Sequence, residues 1–443
     1  MSEERPYRRL SPLTPLVRSF IVVVAAVWAS WDDLLRGDPG PLALLLLALL
    51  AGGAVYGAAS WLRTKYWIEA EELRVDTGVI SRQSRRIRID RLQGIDIVQP
   101  FVARLFGLAE LRMDVAGGSR GEGSLAFLRL EDARRLKDQL LARRDALRAQ
   151  EQPSSDGEAV VAAAPAAPSP ARLLARVRPT TLLLSLLLSL DTLVLVLVVL
   201  GLVVSSLMAE SWVGLSATLP VLLGLGLVQV RRFAAGYNFT VSQTDAGLEI
   251  RRGLLELSSQ TITLPRVMGV VVSEPVLWRR LGWARLDVSL AGYSSSSSGE
   301  EGPAASTVLP VGDRALVLWL ARYVLSSLDP EAPALTGPGR RARWAAPVAH
   351  RFMAAGAGEQ LAVSRQGRLT RRLQVVPHAR VQSVRLKQGP WQRRLGLADV
   401  HLDSPPGPVD VRARHREADE ARRILEAEVA VTRRARRSQG EPA

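Results

Sequence analysis

Few residues in this chain have the type and spacing to do chemistry. Cysteine is absent, which removes thiolate nucleophiles and cysteine-ligated zinc or iron–sulfur centres. The four histidines, His350, His378, His401 and His415, follow no metal-ligand spacing, so solvated or capping roles are expected and no metal site. Gly117-Gly-Ser-Arg-Gly-Glu-Gly123 has the glycine density of a phosphate cradle. It lacks the Gly-Lys-Ser/Thr ending and does not open a helix directly after a strand, so it reads as a hairpin loop. There is no paired-carboxylate framework. The expected catalytic set is empty: no enzyme, no cofactor.

Two constellations remain. Asp191 lies in the apolar run Leu182-Leu-Leu-Ser-Leu-Leu-Leu-Ser-Leu-Asp-Thr-Leu, where a charge costs about 2.5 kcal/mol or more inside a bilayer. It reads either as a relay or ligand counter-charge, or as a protonated or paired carboxyl locking helices together near Arg18, Ser185 or Ser189. One acid is thin for a transporter, which favours packing. The second constellation is three basic turns: Arg82 with Arg85 and Arg86, Arg251 with Arg252, and Arg371 with Arg372. These are the candidate contacts for anionic headgroups or protein partners, each worth about 1 kcal/mol near anionic lipid. A merely solvated surface is the competing reading.

Stepping outward, 443 residues correspond to about three domains. Lys+Arg 58 against Asp+Glu 43 leaves a net charge of +15. Lys65, Lys137 and Lys387 are the only lysines. The basic residues flank apolar runs and sit on short strands rather than in one tract, so the expected partner is the lipid bilayer and not nucleic acid.

Four apolar runs reach the roughly 20 residues that a membrane helix needs: 13–31, 40–62, about 180–208, and 211–230. The second contains Gly53-x-x-x-Gly57, which permits close helix approach. The breaks at 32–39 and 209–210 are tight, so each pair predicts a helical hairpin. Arginines and Lys65 flank the outer ends of both pairs, whereas Asp32, Asp33, Asp38 and Glu210 dominate the turns. The positive-inside rule then places both termini in the cytoplasm of a multi-pass plasma-membrane protein. A cleaved signal peptide ending near Val27-Trp28-Ala29 is the competing reading of the first run.

The soluble remainder repeats itself. Segments 87–111, 262–286 and 376–400 align without gaps on Arg91, Arg266 and Arg380. They share a second Arg (Arg104, Arg279, Arg393), a Gly (Gly107, Gly282, Gly396) and an Ala two places on (Ala109, Ala284, Ala398). The third copy has Ser383 where the others have Gly94 and Gly269. Alternating strands closed by a turn glycine precede each segment, and a strand, a polar loop (117–123, 294–306, 404–408), another strand and an amphipathic helix follow. Each copy predicts a small antiparallel sheet under one helix, a core sufficient for itself. The helix of the second copy, 316–325, is apolar nearly all round, so its outer face is expected to pack on another domain or subunit.

A Tyr-Trp-Ile-Glu strand leaving a hairpin, the Gly-Val-Ile turn, Ile-x-Ile-x-Arg-Leu-Gln-Gly-Ile and Arg-Leu-Phe-Gly-Leu-Ala together resemble the bacterial pleckstrin-homology-like (bPH2) domain of YdbS/YdbT-type membrane proteins. The resemblance implies a seven-stranded, partly open β-barrel capped by a helix, with no catalytic residues. The expected fold class is therefore α-helical membrane hairpins plus α+β, with four membrane helices and three PH-like antiparallel barrels. The plan is a cytoplasmic terminus 1–12, hairpin 13–62, domain 63–148, flexible linker 149–178, hairpin 179–230, domain 231–329, linker or interfacial segment 330–357, domain 358–432 and disordered tail 433–443. The expected function is a scaffold or interaction module at the inner membrane surface, with a role in envelope stress or resistance to membrane-active compounds. Its expected partners are membrane or cytoplasmic proteins, including a homologous membrane protein or a second copy of the chain. A headgroup-binding module and a small transporter or export accessory using Asp191 are the alternatives.

Overall fold

The computed structural model describes residues 8–9, 52, 63–69, 71–77, 83–115, 124–151, 171–208, 212–245, 247–291, 307–405 and 407–438. The first two expected spans apart from residue 52, the loops 117–123 and 294–306, most of the linker, Arg82 and the last residues lie outside them.

The elements repeat in three rounds. The first holds β1 (Arg8–Arg9), β2 (Lys65–Glu69), β3 (Glu72–Thr77), β4 (Gln83–Arg88), β5 (Leu92–Pro100), the short helix α1 (Phe101–Leu105), β6 (Leu108–Val115), β7 (Ser124–Arg129) and α2 (Leu130–Glu151). The second begins with β8 (Arg172–Arg176) and the helices α3 (Pro179–Leu187), α4 (Leu190–Met208) and α5 (Trp212–Gly236). It continues with β9 (Thr240–Thr244), β10 (Gly247–Arg252), β11 (Glu256–Ile262), β12 (Val267–Pro275), α6 (Val276–Arg280), β13 (Trp283–Leu290), β14 (Thr307–Asp313) and α7 (Arg314–Val324). The third holds α8 (Ala342–Ala345), β15 (Ala354–Ala357), β16 (Leu361–Gln366), β17 (Thr370–Pro377), β18 (Ser383–Lys387), α9 (Pro390–Leu395), β19 (Leu397–Asp403), β20 (Val411–Glu417) and α10 (Ala418–Ser438).

The shared residues of the repeat have one structural job. Gly107, Gly282 and Gly396 adopt φ of 65°, 70° and 65°, a left-handed conformation that costs other residues about 1–2 kcal/mol. Each glycine N–H donates to the carbonyl of the shared arginine, Arg104, Arg279 or Arg393. Each glycine carbonyl in turn accepts the N–H of the residue opening the capping helix: Leu130 (3.0 Å), Arg314 (2.8 Å) and Ala418 (2.9 Å). The buried alanine two places on sits at a β-bulge in every copy, between Ala109 and Leu111, Ala284 and Leu286, and Ala398 and Val400. The bulge bends the strand beneath its helix.

Two compact units result, one formed by 1–169 with Leu254–Thr261 and the other by the rest. In the first, β1 to β4 form an antiparallel sheet, and β7, β6 and β5 form another that β11 extends. Tyr66, Leu73, Val75 and Ile87 alternate inward, and Ala133, Leu136 and Leu140 of α2 cover them, as helical spacing predicts. In the second unit, β8 to β10 pair in order, β14-β13-β12-β17-β16-β15 make a six-stranded sheet, and β18 to β20 a three-stranded one. Antiparallel sheets with capping helices are thus present as expected. Separate barrels are not: the second and third copies share one sheet and exchange core residues. Leu361, Val363, Leu373 and Val375 of the third copy sit in the second copy's core, and Val271 of the second sits in the third's.

Other boundaries move for local reasons. The linker expected up to 178 already contains β8, which pairs with β9. The segment 330–357 contains β15 and a bridge from Thr336 to Ala355. The tail expected from 433 is helical to Ser438, where Arg436 donates to the carbonyls of Val381 and Gln382. The expected third span is broken at Leu188–Ser189, leaving α4 as the one helix among the described residues long and apolar enough to cross a membrane. Only 6% of that span is buried, so it is not the core helix of a soluble domain. In α7, Val317, Leu320, Ala321 and Val324 face their own copy's sheet, and the outer face is left with exposed Trp319 stacked on Tyr323.

Candidate interaction surfaces

What the structure builds most deliberately is a joint between strands. β11, which belongs by sequence to the second copy, pairs antiparallel with β5 of the first, with Glu256 opposite Pro100 and Ser259 opposite Ile97. β17 of the third copy pairs with β12 of the second, with Thr370 opposite Pro275 and Leu373 opposite Val272. In the repeat alignment Pro100 matches Pro275 and Glu256 matches Thr370. The two joints are therefore the same joint in the same register. Gly269 shows what it demands, since a Cβ there would stand 2.6 Å from the Val375 carbonyl oxygen. The third copy has Ser383 at this place because no described strand lies on that side of β18. Glu274 fastens the second joint. Its buried carboxylate accepts from Arg314 Nε (2.8 Å) and pairs with Arg371 Nε (3.3 Å).

The sequence-predicted arginines separate into different environments. Arg85 and Arg86 lie on β4 with exposed side chains rather than in a turn. Arg251 and Arg252 end β10, and Arg251 pairs with Glu249 at 3.0 Å. Arg371 and Arg372 stand on β17 inside the joint, opposite Glu274 and Ser273. Asp191 lies near the start of α4. Ser189 Oγ accepts the Thr192 N–H at 3.3 Å, and Gln229 of α5 donates to Thr192 Oγ1 at 2.6 Å. This polar cluster starts α4 afresh, placing Asp191 in its first turn, where an acid is favoured. There it pairs with Arg232 Nη1 of α5 at 3.6 Å.

His378 departs from the solvated or capping role expected of it. It is fully buried, with Nδ1 3.0 Å from Glu428 Oε2 of α10 and Nε2 3.1 Å from the Gly358 carbonyl. Burial alone would lower its pKa, but the Glu428 carboxylate and the Gly358 carbonyl outweigh it and raise the value above 6.5. A raised pKa means that the folded state holds the proton more tightly. The pair's contribution is therefore full below the ordinary value and lost as pH rises through the raised one. Amide exchange of α10 in the intact chain is expected to accelerate over that window, and Glu428→Gln should flatten the dependence. Among the described residues, no group of three His, Asp or Glu side chains could hold a metal ion.

Comparisons with known proteins also find a threefold match along the chain. The family described as Bacterial PH domain matches residues 19–144, 182–325 and 317–429. The UPF0699 transmembrane protein YdbT of Bacillus subtilis (strain 168) is 24% identical over 287 residues, covering 60% of this chain and 56% of that protein. The chain thus matches little more than half the length of this curated relative. No solved structure matches it.

Proposed function

The chain belongs to the bacterial PH domain family, and from that premise we propose that it is a non-enzymatic membrane scaffold whose copies recruit partner strands at the inner surface. The observation carrying this reading is the twice-repeated strand joint. A chain that links its own copies by sheet extension carries the same chemistry at its remaining edges. Among the described residues two of the terminal strands, β4 and β18, are largely exposed. An extended segment can add to either by β-augmentation.

Charge selects the partner. β4 carries Arg85, Arg86 and Arg88, and β18 carries Arg385 and Lys387. Continuing the joint's register, β18 of a second copy would place Arg385 opposite Arg85, and like charges directly opposed are destabilising. The edges fit an acidic strand of a different chain better than a second copy of this one. The placement follows the sequence: two helical hairpins, 13–62 and 179–230, with all copies cytoplasmic. The α4–α5 succession supports the second hairpin. Such a scaffold serves protection of the membrane against membrane-active compounds. The Asp191–Arg232 pair supports helix locking rather than a relay.

The test uses the intact chain in native membranes with a photo-crosslinker replacing Arg86. Successive strand N–H groups point to opposite sides, so one of Ser84→Pro and Arg85→Pro blocks the open edge while leaving β3 paired. Protein adducts lost in one proline variant are expected. Adducts to lipid alone, lost on Arg85→Glu with Arg86→Glu but kept in both proline variants, would establish the headgroup-binding alternative instead.

A further inference from the structure

All three copies open with the same bridge. Arg8 pairs with Tyr66, Ala175 with Val241, and Thr336 with Ala355. Tyr66, Val241 and Ala355 each stand the same distance before the shared Arg91, Arg266 and Arg380. The three bridges are therefore equivalent, and whatever lies between their halves occupies an equivalent place. In the second copy that place is filled by α3, α4 and α5. In the third it is filled by residues 337–354, with α8 and a 3-10 turn at Ala349–Phe352.

This short excursion does not bury its large apolar side chains. Trp344 is 66% exposed, and Val348 and Phe352 are exposed as well. Trp391 of α9, 56% exposed, adjoins them and donates from Nε1 to the Trp344 carbonyl at 3.5 Å. Arg340, Arg341, Arg343 and Arg351 surround them, all exposed, with the Arg343 guanidinium 5.5 Å from the Trp344 ring centre. The stretch 332–358 holds no acid. The second copy shows which end of the fold this is. There α6, the counterpart of α9, abuts the root of the membrane helices, with Trp278 Nε1 donating to the Ser185 carbonyl of α3 at 3.2 Å.

We propose that residues 337–354, together with Trp391, form a foot that seats the third copy in the headgroup layer of an anionic bilayer. Tryptophan rings with an apolar body and a polar N–H favour that layer. Arginines draw the surface toward anionic lipid, and apolar side chains dip into the acyl boundary. The third copy thereby reaches the membrane without crossing it. This rests on α4 lying in the bilayer, but it is independent of the strand-edge reading.

The chain has no cysteine, so single spin labels report cleanly. The full chain carrying Trp344→Cys or Val348→Cys is labelled in nanodiscs of phosphatidylcholine with phosphatidylglycerol, with Glu359→Cys at the far end of β15 as the aqueous reference. A several-fold higher ratio of oxygen to nickel accessibility at 344 and 348 than at 359 is expected, falling in phosphatidylcholine alone. Equal ratios at all three sites would overturn the proposal. Labels at 344 and 348 shielded from both reagents would overturn it too, by showing protein over the patch.

Discussion

Val271→Asp is expected to uncouple the third copy from the second. Val271 lies on β12, only 3% exposed, and its side chain joins Ala355, Ala362 and Val376 in the third copy's core. Its neighbours Val270 and Val272 point the other way, into the second copy's core. β17 does the converse, with Val375 in the second core and Val376 in the third. A strand buried on both faces offers an introduced carboxylate no solvent side to turn toward. An unpaired buried charge costs about 3–5 kcal/mol, a large part of the roughly 5–15 kcal/mol that holds a domain folded. Hydrogen exchange in nanodiscs should show β15 to β20 opening well before β13 and β14 in the variant. The parent chain should protect both groups alike. Exchange in the variant that matches the parent throughout would refute the shared core.

Arg416→Met should loosen the third copy almost as severely. The guanidinium is 2% exposed and donates from Nη1 to the Gly337 carbonyl (2.8 Å) and to Glu420 (2.9 Å), and from Nη2 to the carbonyls of Thr336 and Ala355. One side chain thus ties the opening bridge to the base of α10. Methionine keeps the apolar stem but strands those acceptors, at a cost of about 3 kcal/mol from charged hydrogen bonds alone. The readout is limited proteolysis between Gly337 and Phe352, expected to accelerate in the variant. Lysine at 416 should not rescue it, because one ammonium cannot replace a planar fork that spans separated acceptors. Unchanged cleavage would show that the bridge stands without Arg416.

These expectations mark where the sequence was readable. The repeat disclosed the recurring turn because its requirements are local. A left-handed residue needs glycine, the bulge beside it takes a small buried alanine, and α2 and α10 show their buried faces at helical spacing. Strand partnership is non-local and could not be read from period-two alternation. Its trace was nevertheless there: Val270-Val271-Val272 and Val375-Val376 break the alternation, which is what burial on both faces requires. The departure at Ser383 was a second trace, marking β18, which has no described strand on its side away from β19. Asp191 stood out because the run around it is apolar. Ser189 and Thr192 are the residues that restart the helix there and bring the acid to its first turn. Strand pairing, equally invisible locally, placed Arg371 and Arg372 opposite Glu274 and Ser273 in the joint.

The central claim is that one strand joint, in one register, connects successive copies. The absence of native cysteine allows it to be tested at both places with equivalent pairs, Val98→Cys with Ser258→Cys and Ser273→Cys with Arg372→Cys, which the register sets directly opposite each other. Opposed antiparallel residues fall within disulfide reach. Mild oxidation of each doubly substituted chain in membranes should give an intramolecular disulfide in both cases, seen as a faster-migrating monomer. Pairs that stay reduced, or that cross-link only between chains, would contradict the joint.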